Sequence, residues 1–580
     1  MSPILHDEKK NSQFDHPIGK DMPSFKILTR PGMPPEQHGY PGLQPRQERR
    51  NGMLIERDVA IELRDGVKVY ADIFRPENAV NVPVIIGWGP YGKHGAFGYE
   101  VFYKNGGITP GMVSPDAIFE GPDPGFWCPA GYAIAYVDPR GAWMSEGEAT
   151  FWGTEQEGLD AYDVIEWFAQ QPWSNGKVGM SGVSYFTIIQ WRAAAARPPH
   201  LAAINPWEGF RDPYREIAYI GGMADKFVQI WQMTSCWSKN KLEDVWAMME
   251  AHPLYDEYWA DKVADLSEVD IPAYIVASWS DQGLHTRGTI SAFNELGSKN
   301  KWLEVHGRKK WEYYYRPESL ARQRKFFDHF LKGIDTGLEE WPRVRIEVRE
   351  GYYLGQERAE QEWPLARTEH RPLYLDGSQK ALIPSAPSES ASVSYSVDPC
   401  FSAHSYHDDR AEFDVTFNSD TEITGNVKLK LWVEAQGSDD MDLFVAIQKL
   451  DKSGRHVGLP FFSAQEDGPV ALGWLRVSHR ELDPMRSTPS VPWHLHAREE
   501  KLNAGEIVPV EIEIWPSSTL FRKGERLRLV IKGDDIYRYG EGTFTSSHAT
   551  RNKGRHVIHT GGRYDSHLLL PFVPSTGETS

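Results

Sequence analysis

Cysteine is scarce in this sequence: Cys128, Cys236 and Cys400 are far apart and odd in number. They can build neither a disulfide framework nor a Cys-x-x-Cys metal site, so the chain reads as a reduced, intracellular protein. Long apolar runs are missing as well. None approaches the roughly 20 residues that a helix needs to cross a bilayer, and no membrane association is expected. Basic excess is absent: 63 Lys and Arg stand against 81 Asp and Glu, a formal charge of -18. Such a balance offers no footprint for a phosphate backbone, so nucleic acid is not an expected partner. The first residues, MSPILHDEKKNSQFDHPIGKDMP, carry charges and Pro where a signal peptide needs an apolar stretch, and the final STGETS has no targeting or lipidation signal. A cytoplasmic location is the expectation.

What is present is the material of a large globular protein. The 580 residues are 40% hydrophobic and 25% charged, with 21 Trp, 25 Tyr and 25 Phe. That length divides into two to four folded units. Residues 1–52 are polar, rich in Pro, Gly, Gln and Arg, and without hydrophobic period, which predicts a mostly irregular arm. From 53 to 344, short β-branched runs such as Val84 to Trp88, Tyr132 to Val137, Val178 to Ser181, Ala273 to Ser278 and Trp302 to Val305 alternate with amphipathic helical stretches such as Glu155 to Gln170. This alternation predicts a mainly parallel sheet wrapped by helices. It is interrupted at 206–266 by helical segments rich in Trp, Met and Tyr, an insertion expected to lie as a lid over the carboxyl ends of the strands. From 345 to 580 the period becomes 2, as in Val427, Leu429, Leu431 and Val433, which predicts an antiparallel β-sandwich.

The segment KVGMSGVSYFTIIQWRAAAA, from Lys177 to Ala196, has the strand, sharp turn and helix of a nucleophile elbow, with Ser184 on the turn. Ser181 competes, but it still belongs to the strand. A serine needs a base, and the base an orienting carboxylate. The strand Ala273 to Ser278 runs into Trp279-Ser280-Asp281, and the strand after it into His306, so strand order selects Asp281 and His306. His285, four residues after Asp281, is the rival base and is otherwise expected to cap or pack beside the site. The oxyanion formed in acyl transfer needs two donors. The backbone N–H of Tyr185 supplies one, and the loop Gly87-Trp88-Gly89-Pro90-Tyr91-Gly92-Lys93 presents the phenol of Tyr91 for the other.

Taken in order, Pro90-Tyr91-Gly92-Lys93, Val137-Asp138-Pro139-Arg140-Gly141 with Ser145-Glu146-Gly147, Gly182-Val183-Ser184-Tyr185 and Trp279-Ser280-Asp281 resemble the successive motifs of the cocaine-esterase-like (CocE/NonD) hydrolases, relatives of X-Pro dipeptidyl-peptidases and α-amino-acid ester hydrolases. The resemblance covers residues 53 to 580. It implies an α/β-hydrolase body, a helical cap inserted after the nucleophile strand and a carboxy-terminal jelly roll. It also implies Ser184 as nucleophile, Asp281 as orienting acid, Tyr91 with the N–H of Tyr185 as oxyanion hole, and a structural role for Arg140. Three departures stand out: Trp88 replaces the usual Arg before the Pro-Tyr pair, Thr187 replaces the last Gly of the elbow, and Val305-His306-Gly307-Arg308-Lys309-Lys310-Trp311 replaces the usual Gly-Pro-Trp-x-His.

The expected activity is cleavage of an ester or amide of a small organic acyl substrate through an acyl-enzyme, without cofactor. Acyl transfer and X-Pro dipeptide release are alternatives, the latter needing carboxylates such as Glu208, Glu216 or Asp225 for a substrate ammonium. A non-catalytic binding protein on a decayed scaffold is a third. Trp88, Trp231, Trp237 and His285 are candidate substrate-binding residues. No metal site is expected: His494 with His496 and His404 with His407 lack a third ligand, and Ser438 to Asp442 reads as a solvated turn. The aromatic content and polar arm would suit a homodimer.

Overall fold

A computed structural model describes residues 13–15, 25–40, 42–94, 103, 105–397, 409–539 and 545–574. Cys400, His404, His407 and the terminal STGETS lie outside the described residues.

An eleven-stranded sheet forms the body. Its strands in chain order are β1 (Arg46–Arg50), β2 (Met53–Glu62), β3 (Lys68–Pro76), β4 (Val82–Trp88), β5 (Ala133–Asp138), β6 (Ser174–Val183), β7 (Leu201–Trp207), β8 (Ala273–Ser278), β9 (Lys301–His306), β10 (Val344–Gly351) and β11 (Leu354–Glu360). Their spatial order is β1-β2-β3-β5-β4-β6-β7-β8-β9-β10-β11. The centre, from β5 through β10, is parallel. These strands are buried on both faces and read as continuous apolar runs, VIIGW in β4 and AYIVAS in β8, because helices cover each side. The strand order reverses at β4, which lies between β5 and β6, so the loops that leave β4 and β6 flank the crevice where such sheets place their sites.

The alternating strands of 345–360 still pair with the body: β10 continues the parallel sheet beside β9 while Arg349 pairs with Thr519 of the β-rich domain, and β11 closes the edge. The described part of the arm, 25–40 and 42–52, carries strands: Lys26–Pro31 pairs with Lys241–Glu243 of the insertion, and β1 adds an edge strand to β2. Lys241–Glu243 is far from Lys26–Pro31 in the chain, so no local period announces that pairing, whereas β1 and β2 form a hairpin across Asn51-Gly52.

The insertion, 206–266, contains the helices Phe227–Ser235, Val245–Ala251 and Glu257–Asp261. A single π turn, Tyr214–Ala218, and a short two-stranded hairpin, Tyr219 to Ala224, precede the first of these.

Beyond residue 360 the chain is β-rich and antiparallel, with Thr421–Gln436 paired along Val508–Phe521. The Ser438 to Asp442 stretch is only in part the solvated turn expected: Ser438 and Asp439 reach solvent, but Asp440, Met441 and Asp442 are buried, Asp442 bidentate to Arg476 and Asp440 accepting from Ser478 and from the exposed Lys501. This domain also braces the body. Gln282 bonds to Pro516 and Leu472, and the Phe462 N–H donates to the Ser280 carbonyl. Arg287 lies between Glu216 of the insertion at 2.6 Å and Glu513 of the β-rich domain at 3.0 Å. Charges this buried stay only when paired, so removing one partner strands the others. Arg287→Met should therefore cost about 3–5 kcal/mol, read as a lowered unfolding midpoint in calorimetry or denaturant titration.

Candidate active site

At the end of β6 the backbone turns sharply into the helix Tyr185–Ala196, and Ser184 sits between them at φ 60°, ψ -115°. A non-glycine residue held there costs on the order of 1–3 kcal/mol, so its surroundings must fix it. They do so through the backbone: the Ser184 N–H is within 3.0 Å of the carbonyls of both Trp207 and Glu208. Thr187 takes a structural part. Its hydroxyl lies 2.6 and 3.0 Å from the carbonyls of Trp207 and Gly182, between which its one proton is shared, and accepts from the Trp207 N–H at 2.7 Å. Room for this β-branched residue comes from Gly209, where a Cβ would lie 2.5 Å from Thr187 Cγ2. Ser181 stays in the strand, bonded to Tyr314 and Asn205.

His285 Nε2 lies 3.0 Å from Ser184 Oγ. It begins the helix Thr286–Glu295, and its own N–H donates to the Asp281 carbonyl, so the loop closes as one turn and delivers the imidazole to the serine. With Nε2 accepting the hydroxyl, the proton belongs on Nδ1, which is buried near the Leu284 carbonyl and makes no hydrogen bond to a side chain. Burial and, after it, the nearby Lys310 ammonium push the imidazole well below its ordinary value, which favours the neutral, proton-accepting form.

His306, the base selected by strand order, is engaged elsewhere. Its Nε2 is 3.0 Å from Glu208 Oε1, its Nδ1 accepts from the Arg308 N–H, and its ring stacks on Tyr313 at 3.9 Å. The end of β9 thus aims this side chain at the buried acid of β7's exit. No hydrogen bond joins the Asp281 carboxylate to the imidazole either. Its Oδ2 pairs with Lys310 Nζ at 3.0 Å, and its Oδ1 is buried without a hydrogen-bond partner among the described residues. Lys310, in the position range of the missing Gly-Pro-Trp-x-His, went unnoticed in the sequence. A lysine after Lys309 carries no signal of burial, yet it is 1% exposed.

Tyr91 reaches the cavity as expected. Its phenol accepts from Trp231 Nε1 at 3.4 Å and contacts the Ser184 hydroxyl, and burial drives its pKa far up, so it keeps its proton. The N–H of Tyr185, first in its helix, has no intrahelical acceptor. The Tyr185 phenol turns inward to Glu157.

Ser184, His285, Tyr91 and Lys310 share one small cavity of about 30 Å³, walled by Phe119, Trp152, Ile188, Phe210, Phe227 and Trp231 and by one acid, Glu120. Trp231 is therefore a lining residue, but Trp88 and Trp237 are not. Trp88 is fully buried and donates to Glu157, while Trp237 stacks on His38 of the arm. Arg140 binds Asp160 through two hydrogen bonds, away from the cavity. Among the described residues no cluster of His, Cys, Asp or Glu could hold a metal ion, and no helix is long and apolar enough to cross a membrane.

A parallel sheet reversing at β4, a strained serine at the end of β6 and a histidine on it define a serine hydrolase of the α/β-hydrolase class. Residues 65–238 and 224–309 match the X-Pro dipeptidyl-peptidase (S15) family, and residues 336–569 match the X-Pro dipeptidyl-peptidase C-terminal non-catalytic domain. A CocE/NonD family hydrolase from Staphylococcus aureus is 41% identical, with a TM-score of 0.86 over 92% of this chain and 99% of that one. Cocaine esterase of Rhodococcus sp. (strain MB1 Bresler) is 24% identical over 90% of this chain and 98% of its own length. An α-amino acid ester hydrolase at 18% identity shares the fold, with a TM-score of 0.69 and coverage of 92% and 98%. The chain belongs to the CocE/NonD family of hydrolases.

The Gly209–Thr187 contact gives a direct check on the elbow. Gly209→Ala should destabilise by about 1–3 kcal/mol through overpacking and slow the labelling of Ser184 by a fluorophosphonate. Adding Thr187→Gly should recover part of both.

Proposed function

We propose that this protein is an esterase for small, neutral organic acyl groups, acting through an acyl-enzyme on Ser184 with His285 as base. The observation that carries the reading is the 3.0 Å contact between His285 Nε2 and the hydroxyl of a serine held on a strained turn. His285 accepts the Ser184 proton during attack on the carbonyl and returns it to the leaving alcohol; water then repeats the step to release the acid. The Tyr185 N–H and Tyr91 hydroxyl receive the oxyanion. Asp281 acts through the backbone, its carbonyl accepting from the N–H groups of Leu284, His285 and Thr286. The insertion serves as a cap, with Trp231 and Phe227 as the wall that must move to admit an acyl group, and the β-rich domain serves as a jelly roll supporting the His285 loop.

A neutral substrate is favoured over an X-Pro peptide because the acids that could greet an ammonium are occupied. Glu208 faces His306 and Ser278, Glu216 is bound to Arg287, and Asp225 is bound to Ser546 and Ser547. The acid in the cavity wall, Glu120, is pushed up to about 8 by burial and stands near Lys310, so at pH 7 it is mostly uncharged. The protein is expected to act in the cytoplasm, without cofactor, on a small-molecule ester; a homodimer remains the expectation from composition.

Activated aryl esters should show burst release, and proline-dipeptide chromogenic substrates should turn over far more slowly. Ser184→Ala and His285→Ala should each lower kcat about 10⁴-fold or more, whereas His306→Ala should leave a burst of normal amplitude. Loss of the burst in His306→Ala with retention in His285→Ala would reverse the assignment. Tyr91→Phe should cost about 10²–10³ in kcat with KM little changed.

A further inference from the structure

Lys310 has no part in the reaction scheme above, yet it stands in the wall of the same cavity as Ser184 and His285. Taking an ammonium out of water costs several kcal/mol, so a lysine this deep needs compensation. It finds it in Asp281 at 3.0 Å, with Glu120 and Glu208 as further acids around it. The pairing has a geometric consequence. Asp281 Oδ2 is claimed by Lys310, Oδ1 is unpartnered, and His285 Nδ1 is unpartnered too. In a hydrolase triad those two atoms would be bonded to each other.

We propose that Lys310 is a positioning residue of the reaction: it holds the Asp281 carboxylate in an ion pair apart from His285 and leaves a fixed positive charge beside the imidazole, so that Ser184 and His285 work as a pair. This rests on the assignment of His285 as base.

The surroundings of His285 agree. Tyr91, Glu120 and Lys310 share its cavity, Phe210 packs beside its ring with centroids 6.0 Å apart, and the nearby Arg287 is held between two carboxylates, Glu216 and Glu513. Burial raises Asp281 to about 6 and Glu120 to about 8, while its acid neighbours raise Lys310. Near pH 7 the ammonium and the Asp281 carboxylate are therefore the charged groups, and Glu120 adds little negative charge. An imidazole whose proton affinity is lowered stays a base above its own pKa; its activity is lost only as pH falls through that depressed value.

The test is the pH profile of kcat/KM for an activated aryl ester in Lys310→Met, Lys310→Arg and the charge-balanced double variant Asp281→Asn with Lys310→Met. The native enzyme should keep its plateau below the ordinary imidazole value of about 6.5. Lys310→Met should move the acid limb upward by about one pH unit or more, and Lys310→Arg should bring it back. The double variant should show the raised limb and fold even where the single variant does not, because no charge is stranded. An unmoved limb in a folded Lys310→Met or double variant would overturn the proposal, as would a loss of about 10⁴ in kcat for Asp281→Asn alone with an unmoved limb, the mark of a carboxylate serving the imidazole. Fluorophosphonate labelling of Ser184, lost in His285→Ala, checks the base assignment separately, so failure of the two readings can be told apart.

Discussion

The site depends on a single backbone conformation, the turn at Ser184. Its φ of 60° is one that a serine avoids, and the nearby Glu208 also has positive φ, at 45°. Two strained residues on adjacent strand exits persist because each supports the other: the Glu208 carbonyl is one of the two that face the Ser184 N–H, and the Glu208 N–H is fixed to Val276 of β8. Thr187 and Gly209 then close the gap between helix and strand exit. The strain is useful because it lifts the hydroxyl out of the sheet and aims the first N–H of the helix at the same space.

Around that turn the protein has gathered more acid than it can keep ionised. Asp281, Glu208 and Glu120 are all buried and raised, to about 6, 7 and 8, with one ammonium among them. Desolvation is the leading cause at each, and the lysine's charge only partly offsets it. The region therefore holds protons as well as charges near neutral pH. Its electrostatics are set by which acid stands nearest the lysine, and the hydrogen bond places Asp281 there.

Much of the fold was legible because it is periodic. The apolar runs of β4 to β9 and the alternation of the later strands announce a parallel sheet and a β-rich domain, and the sequence around Ser184 announces its turn. Partner choice between histidines was not legible. Strand order favours His306 because it ends a strand, but the direction of a side chain at a strand end depends on register, and register here aims it at Glu208. Four residues between Asp281 and His285 leave little room for an imidazole between that acid and Ser184, but the Asp281 carboxylate pairs with Lys310 and does not have to bond the ring. The aromatic residues misassigned to the cavity fail similarly: Trp88 and Trp237 have the right composition, but their burial against Glu157 and His38 depends on contacts distant in the chain. Asp440 and Asp442 looked like a turn because their partners, Arg476, Ser478 and Lys501, come later.

The brace between Arg287 and Glu513 also bears on how the enzyme comes into being. The nucleophile turn and the histidine loop are synthesised in the first half of the chain, but the groups that fix that loop, Phe462, Leu472, Glu513 and Pro516, emerge much later. Domains generally fold in order as they leave the ribosome. Here the body can form its sheet early, while the histidine loop waits for its clamp. The histidine loop thus gains its full set of anchors only when the chain has been made as far as Pro516.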